Sequence, residues 1–235
     1  MRTKKLSGAH EPLESVVERV ARRLPGTPGG WKAREAQVAR YKAEQEARAR
    51  AEADRQLGAR ALNWGIRPRE LDVVRQNALH HTAALELARL HDQEREGCLI
   101  LYGPVGTGKT VAAAWWLWQR IRCPGECAFV TAPELARIQK FGEGNPYDRL
   151  MRVYRLAVDD LGIERDPSGE LAARVTEVIH ERHSRRLATV LTSNLGRNEL
   201  INAYGGERTW SRVAQSGRVF WADGYDLRIE KGRTT

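Results

Sequence analysis

Eight consecutive residues carry the first chemistry in this chain. Gly103, Pro104, Val105, Gly106, Thr107, Gly108, Lys109 and Thr110 follow the spacing G-x-x-x-x-G-K-[ST]. Glycines at these positions let successive backbone N–H groups curl around a phosphate. Lys109 then reaches the β- and γ-phosphates, and the Thr110 hydroxyl sits on Mg²⁺. The pattern predicts a site for a nucleoside triphosphate with Mg²⁺. A second pair lies about 50 residues downstream, where "RLAVDDLG" places Asp159 and Asp160 at the end of an apolar run. One acid can hold the metal shell and the next can orient or deprotonate water, so Asp159 is assigned to Mg²⁺ and Asp160 to water activation. Helix capping is the competing role for either. A third run, "LATVLTSNLG", ends in Thr192, Ser193 and Asn194. Asn194 is a candidate to hold the attacking water and sense the γ-phosphate, or else an ordinary turn residue.

These residues need a strand before the glycine loop and a helix after it. "CLILY" supplies the strand and "TVAAAWWLWQRI" the helix, whose N-terminal dipole favours an anion. Further apolar runs, "CAFVTA", "YRLAVDD", "LATVLTS" and "GRVFWAD", read as strands. "PELARIQK", "SGELAARVTEVIHERHSRR" and "RNELINAYG" read as intervening helices. Such alternation predicts an α/β fold with a parallel five-stranded sheet and helices on both faces. Trp115, Trp116 and Trp118 fall on the helix after the loop and are expected in its packing rather than in base stacking.

Upstream the pattern changes. Residues 1–30 read as a short amphipathic helix with the stripe Leu13, Val16, Val17, Val20 and Leu24, followed by a "PGTPGG" linker. That stripe is expected to dock a partner or to fold back on its own chain. Residues 31–64 are rich in Ala, Arg, Glu and Gln. They read as one long solvated helix, with Glu44/Arg48 and Glu46/Arg50 at i,i+4; it is either a spacer or a contacting arm. Gly65 and Pro68 break it. Helical periodicity returns over residues 71–91 through Leu71, Val74, Ala78, Leu85 and Leu87/Leu90. The catalytic domain is expected over residues 65–235.

The chain has 235 residues, with 39 Lys+Arg against 30 Asp+Glu and a net charge of +9. The excess is spread along the chain, which suits a polyanion such as nucleic acid. Cys98, Cys123 and Cys127 form no disulfide framework, and "CPGEC" has no His or fourth Cys nearby to complete a zinc site. Reduced thiols in a nucleotide-binding chain point to the cytoplasm. The N-terminus has no apolar h-region, and no apolar run is long enough to span a membrane.

Taken together, the glycine loop, "VDDLG", "TSN" and the closing "ERTWSRVAQSGRVFWADGYDLR" resemble the AAA+ ATPases of the DnaC/IstB type. These P-loop proteins include bacterial and phage helicase loaders and the ATP-binding helpers of IS21-like transposition. The resemblance covers about residues 62–228. It implies ATP hydrolysis at subunit interfaces of a homo-oligomer, with Arg212 as an arginine finger in trans and Arg208 a turn earlier on the same helix face. It places "RIQKFGEG" at a central channel, where Arg137 and Lys140 would meet the phosphates of single-stranded DNA. Phe141 would stack on a base or belong to the core. It also implies a replicative helicase, or a transposase, as partner. Only 41 residues follow Asn194, enough for two short helices and a strand, and so no C-terminal helical lid is expected. Two departures stand out. Asp160 occupies a position where Glu is common, and the N-terminal 60 residues, where the family chooses its partner, match no pattern of it. A small-molecule P-loop kinase and a nucleotide switch that never hydrolyses ATP are the competing classes.

Overall fold

The computed structural model describes residues 30–94, 96–139, 144–162, 166, 169–224 and 226–227. The side chains of 30–34 and of Arg208, Arg212 and Ser216 are excepted. The amphipathic stripe between Leu13 and Leu24, Lys140 and Phe141 lie outside the described residues, as do the side chains of Arg208 and Arg212.

Each of the apolar runs becomes a strand: β1 (Cys98–Tyr102), β2 (Cys127–Thr131), β3 (Arg155–Leu161), β4 (Ala188–Ser193) and β5 (Arg218–Trp221). They form one sheet in the order β2-β3-β4-β1-β5, with every neighbouring pair parallel. β4 is therefore inserted between the strand that carries the glycine loop and the strand that carries the two acids. Alternate side chains feed two cores, one on each face. Ile100, Leu156 and Val158 face one core; Leu99, Leu101, Ala157 and Val190 face the other.

The helices are α1 (Gly30–Asn63), α2 (Pro68–Arg75), α3 (Ala83–Glu94), α4 (Lys109–Trp118), α5 (Ala132–Arg137), α6 (Pro146–Arg152), α7 (Glu170–Ser184), α8 (Arg197–Ala203) and α9 (Gly206–Ser216). Of these, α2, α3 and α4 join the core on one face, and α5 to α9 the core on the other. Trp116 is fully buried in α4, while Trp115 and Trp118 are half-buried against the same core. The tryptophans are packing residues.

The chain divides into two compact units, Met1–Gln56 and Leu57–Thr235. In the first, α1 is exposed on nearly all sides, and its pairs form as spaced: Arg48 to Glu44 at 2.6 Å and Arg50 to Glu46 at 3.6 Å. Exposed pairs of this kind contribute only about 0.2–0.5 kcal/mol each. In the second, the last turn of α1 is held by Arg60, whose guanidinium donates to the carbonyls of Ile121, Cys123 and Gly125 at 2.8–2.9 Å.

Two local features differ from the sequence expectation. The periodic stretch 71–91 is two helices, because Asn77 takes a left-handed φ of 52° and the chain turns through residues 76–82. Asn tolerates that conformation better than most residues, and the periodicity on either side disguised the break. The short helix α6 is new; Asn145 caps it, accepting from the Asp148 N–H at 2.7 Å, with Pro146 in its first turn.

Candidate active site

The glycine loop leaves the C-terminal end of β1 and enters α4 at Lys109. Gly103, Gly106 and Gly108 take φ of 137°, 83° and 84°, all in the region that favours glycine. Two of these positions are also crowded. A Cβ on Gly103 would meet the Ala222 carbonyl oxygen at 2.9 Å, and one on Gly106 would meet Asp226 Oδ1 at 1.9 Å. The Leu227 N–H donates to the Gly106 carbonyl at 3.2 Å, so the segment after β5 lies along the loop. Lys109 is buried. Its ammonium donates to the carbonyls of Gly103 at 2.9 Å and Pro104 at 2.6 Å, which closes the loop around its own cation.

Asp159 ends the regular part of β3, and the register against β4 slips between Val158 and Leu161. At this bulge Asp160 adopts φ 61°, a conformation that Asp accepts at modest cost. The slip turns Asp160 toward the cavity while Asp159 stays fully buried. Thr192 of β4 ties the pair together. Its hydroxyl donates to Asp159 Oδ1 at 2.5 Å and accepts from the Asp160 N–H at 3.0 Å. Arg67 donates to Asp159 Oδ2 at 3.0 Å. Burial, aided by the neighbouring Asp160 charge, pushes the Asp159 carboxyl up to about 6. The Thr192 and Thr110 hydrogen bonds and the Arg67 charge pull the other way.

A cavity of about 280 Å³ lies beside the loop. Its polar end is lined by Gly106 to Thr110, Asp160 and Asn194; Val73, Leu79 and Leu85 supply apolar wall at α2, α3 and the turn between them. Asn194 is exposed at the rim, directly after β4. The structure thus brings Lys109, Thr110, Asp159, Asp160 and Asn194 to one edge of the sheet. Arg212 and Arg208 lie on α9, and Arg137 is exposed at the end of α5.

The donor set fits Mg²⁺. A threonine hydroxyl hydrogen-bonded to a buried carboxylate at a helix N-terminus offers hard oxygens of the kind this ion takes, one or two from protein and the rest from phosphate and water. A bound ion of this kind would neutralise charge on the phosphates. The left-handed glycine φ values suit a loop whose N–H groups turn toward a phosphate.

Three features escaped the sequence reading. Arg67 meets its acid only through tertiary packing, and the turn after α2 is closed locally at Asn77, with the Ala78 N–H on the Val73 carbonyl at 3.0 Å. The bridging role of Thr192 had a signal in its place beside the Asp159 strand.

Glycine loop after the first strand, acid pair on the third, polar end on the fourth and strand order 2-3-4-1-5 define a P-loop protein of the AAA+ type. The chain matches the family model described as IstB-like ATP binding protein over residues 35–211, and it belongs to that family. Among solved structures it is similar to the DnaC helicase loader, with a TM-score of 0.55 at 19% identity, covering 67% of this chain and 100% of that one. AMPPCP-bound DnaA from Aquifex aeolicus gives 0.50 at 17% identity, covering 66% and 52%. DnaI gives 0.49 at 22% identity, covering 61% and 81%. No curated protein sequence matches significantly. Among the described residues no helix is long and apolar enough to cross a membrane.

Proposed function

We propose that this chain is a Mg²⁺-dependent ATPase that assembles on DNA and loads a replicative helicase. The observation that carries the ATPase part is the convergence of Lys109, Thr110 and Asp160 on one pocket, with the buried Asp159 hydrogen-bonded to Thr110 behind it and Thr192 fixing the two acids relative to each other. In this reading Lys109 supplies a positive charge to the phosphates, and Asp160 takes a proton from water held by Asn194. Thr110 and Asp159 hold the metal. Arg212 completes a neighbouring subunit's site, so that turnover follows assembly.

The basic balance of the chain supports single-stranded DNA as ligand, with Arg137, Lys140 and Phe141 as the contacts. The likeness to a helicase loader along that protein's whole solved length supports the loading role. A second reading, an ATP-binding helper of transposition with a transposase as partner, is favoured by the family description itself. Both readings place the chain in the cytoplasm, as the reduced thiols suggest.

Steady-state phosphate release, measured with and without single-stranded DNA at dilute and concentrated protein, tests the ATPase. Lys109→Ala should abolish nucleotide binding or turnover. Asp160→Asn should keep binding and lose turnover by at least about 10²-fold. Undiminished turnover in either variant sinks the assignment. Turnover independent of both DNA and concentration sinks the assembly reading and leaves a simple nucleotide enzyme. Pull-down with the helicase against the transposase separates the two partner readings.

A further inference from the structure

Asp159 has no contact with solvent, yet the metal role proposed for it requires it to be charged. A buried carboxylate away from water needs a counter-charge. The structure supplies one from outside the P-loop elements. Arg67 Nη2 donates to Asp159 Oδ2 at 3.0 Å, across 92 positions of sequence. The other oxygen is taken by the Thr192 hydroxyl.

Arg67 is not part of the core. Its side chain is 41% exposed, while that of Asp159 is 0% exposed. It reaches inward past the Phe129 ring, with its Nε 3.3 Å from Glu70 Oε2. Glu70 offers a partner that keeps the guanidinium in place if it leaves Asp159. The backbone on either side is fixed in different ways. Before Arg67, the Trp64 carbonyl accepts from the Phe129 N–H at 2.6 Å, and Gly65 packs against β2 so closely that a Cβ would meet the Phe129 carbonyl oxygen at 2.2 Å. After it, Pro68 starts α2, whose Arg69, Glu70 and Val73 line the cavity.

Resting on the ATPase reading, we propose that Arg67 is a resident counter-ion of the metal aspartate, displaced when Mg²⁺ enters with nucleotide. A divalent ion on the Thr110 and Asp159 oxygens would face a guanidinium hydrogen-bonded to the same carboxylate, and two cations there repel each other. Arg67 therefore swings toward Glu70. Because it stands at the N-cap of α2, its release bears on a wall of the cavity. The device stabilises the metal-free protein and weakens metal binding; loss of Arg67 reverses both.

The test uses the full chain and Mn²⁺, with a slowly hydrolysed ATP analogue. Free Mn²⁺ is followed by electron paramagnetic resonance, and stability by thermal melting with and without metal. Arg67→Ala should bind Mn²⁺ about tenfold more tightly in the presence of the analogue, since the competing cation is gone. Its melting temperature should fall without metal, and the deficit should shrink when metal and analogue are added. Arg67→Gln, which keeps hydrogen-bond donors but not the charge, should move metal affinity the same way and serves if the alanine variant does not fold. A merely structural arginine gives the opposite sign, because a damaged site binds metal less well. Unchanged or weakened Mn²⁺ affinity in both variants overturns the inference while the ATPase reading stands. A wild-type chain that binds no metal–nucleotide overturns both.

Discussion

His91 shows at single-residue scale how burial sets chemistry away from the pocket. Its ring is fully buried and stacked on Trp116 at 5.3 Å between centroids, while the Arg155 guanidinium lies 4.4 Å from the same indole ring. Burial pushes the His91 imidazole below its ordinary value; Glu94, with Oε2 3.6 Å from Nδ1, opposes this, and Arg155 adds to it. A depressed base binds fewer protons folded than unfolded. Its contribution to stability is therefore present above the unfolded value of about 6.5 and is lost as pH falls toward the folded one. The raised Asp159 carboxyl works the opposite way below about pH 6, so the His91 contribution is read by difference: in urea denaturation wild type should lose stability relative to a His91 variant as pH falls below about 6.5. His91→Phe, which keeps the stack and removes the titration, is that variant. A stability difference that does not change with pH means that His91 contributes nothing to the pH dependence. The glycine loop, Asp159 and Asp160 were legible in the sequence because each is specified by its own neighbours. Arg67 was not. Nothing in "GIRP" reports an acid 92 positions away.

At the scale of elements, an uncompensated arginine holds one side of the fold together. Arg182 of α7 is 1% exposed, and no carboxylate accepts from it among the described bonds. It donates instead to the carbonyls of Leu150, Val153 and Ala188 and to the Thr189 hydroxyl, all at 2.7–2.9 Å. Those acceptors join the end of α6 to the start of β4. Burial pulls the guanidinium down to about 10, still charged at neutral pH. Arg182→Ala leaves three buried carbonyls without that donor and opens a cavity, so it should cost at least about 3 kcal/mol in chemical denaturation. A loss under about 1 kcal/mol means that water replaces the guanidinium. The strands were readable as elements because β-branched and aliphatic runs of five to seven residues sit between turns. The break between α2 and α3 was hidden by a face that stays apolar on both sides of Asn77. The capped start of α6 was written in "NP" but lost among polar neighbours. Helix α7 was legible through its periodicity, although nothing in that pattern marks Arg182 as a clamp.

For the whole molecule, the expected dependence of turnover on assembly has a direct check. Asp160→Asn damages a subunit's own site, and Arg212→Ala damages the site it would complete next door. Each variant alone should be inactive. Mixed in equal amounts they should regain roughly a quarter of wild-type turnover, because that share of interfaces pairs an intact site with an intact arginine. No recovery on mixing means that Arg212 acts within its own subunit or not at all. The strand order has a consequence for biogenesis. A ribosome delivers β1, β2 and β3 before the strand that separates β1 from β3. Pairing Ile100 with Leu191 closes a span of about 90 residues, which makes this a slow, late step. Until Ala188–Ser193 has emerged and slotted in, the phosphate loop and the two acids hang on strands with no common neighbour. A nascent or prematurely terminated chain therefore carries the motif without the pocket, and under the proposed ATPase reading such fragments should be inert rather than half-working sinks for the cell's ATP.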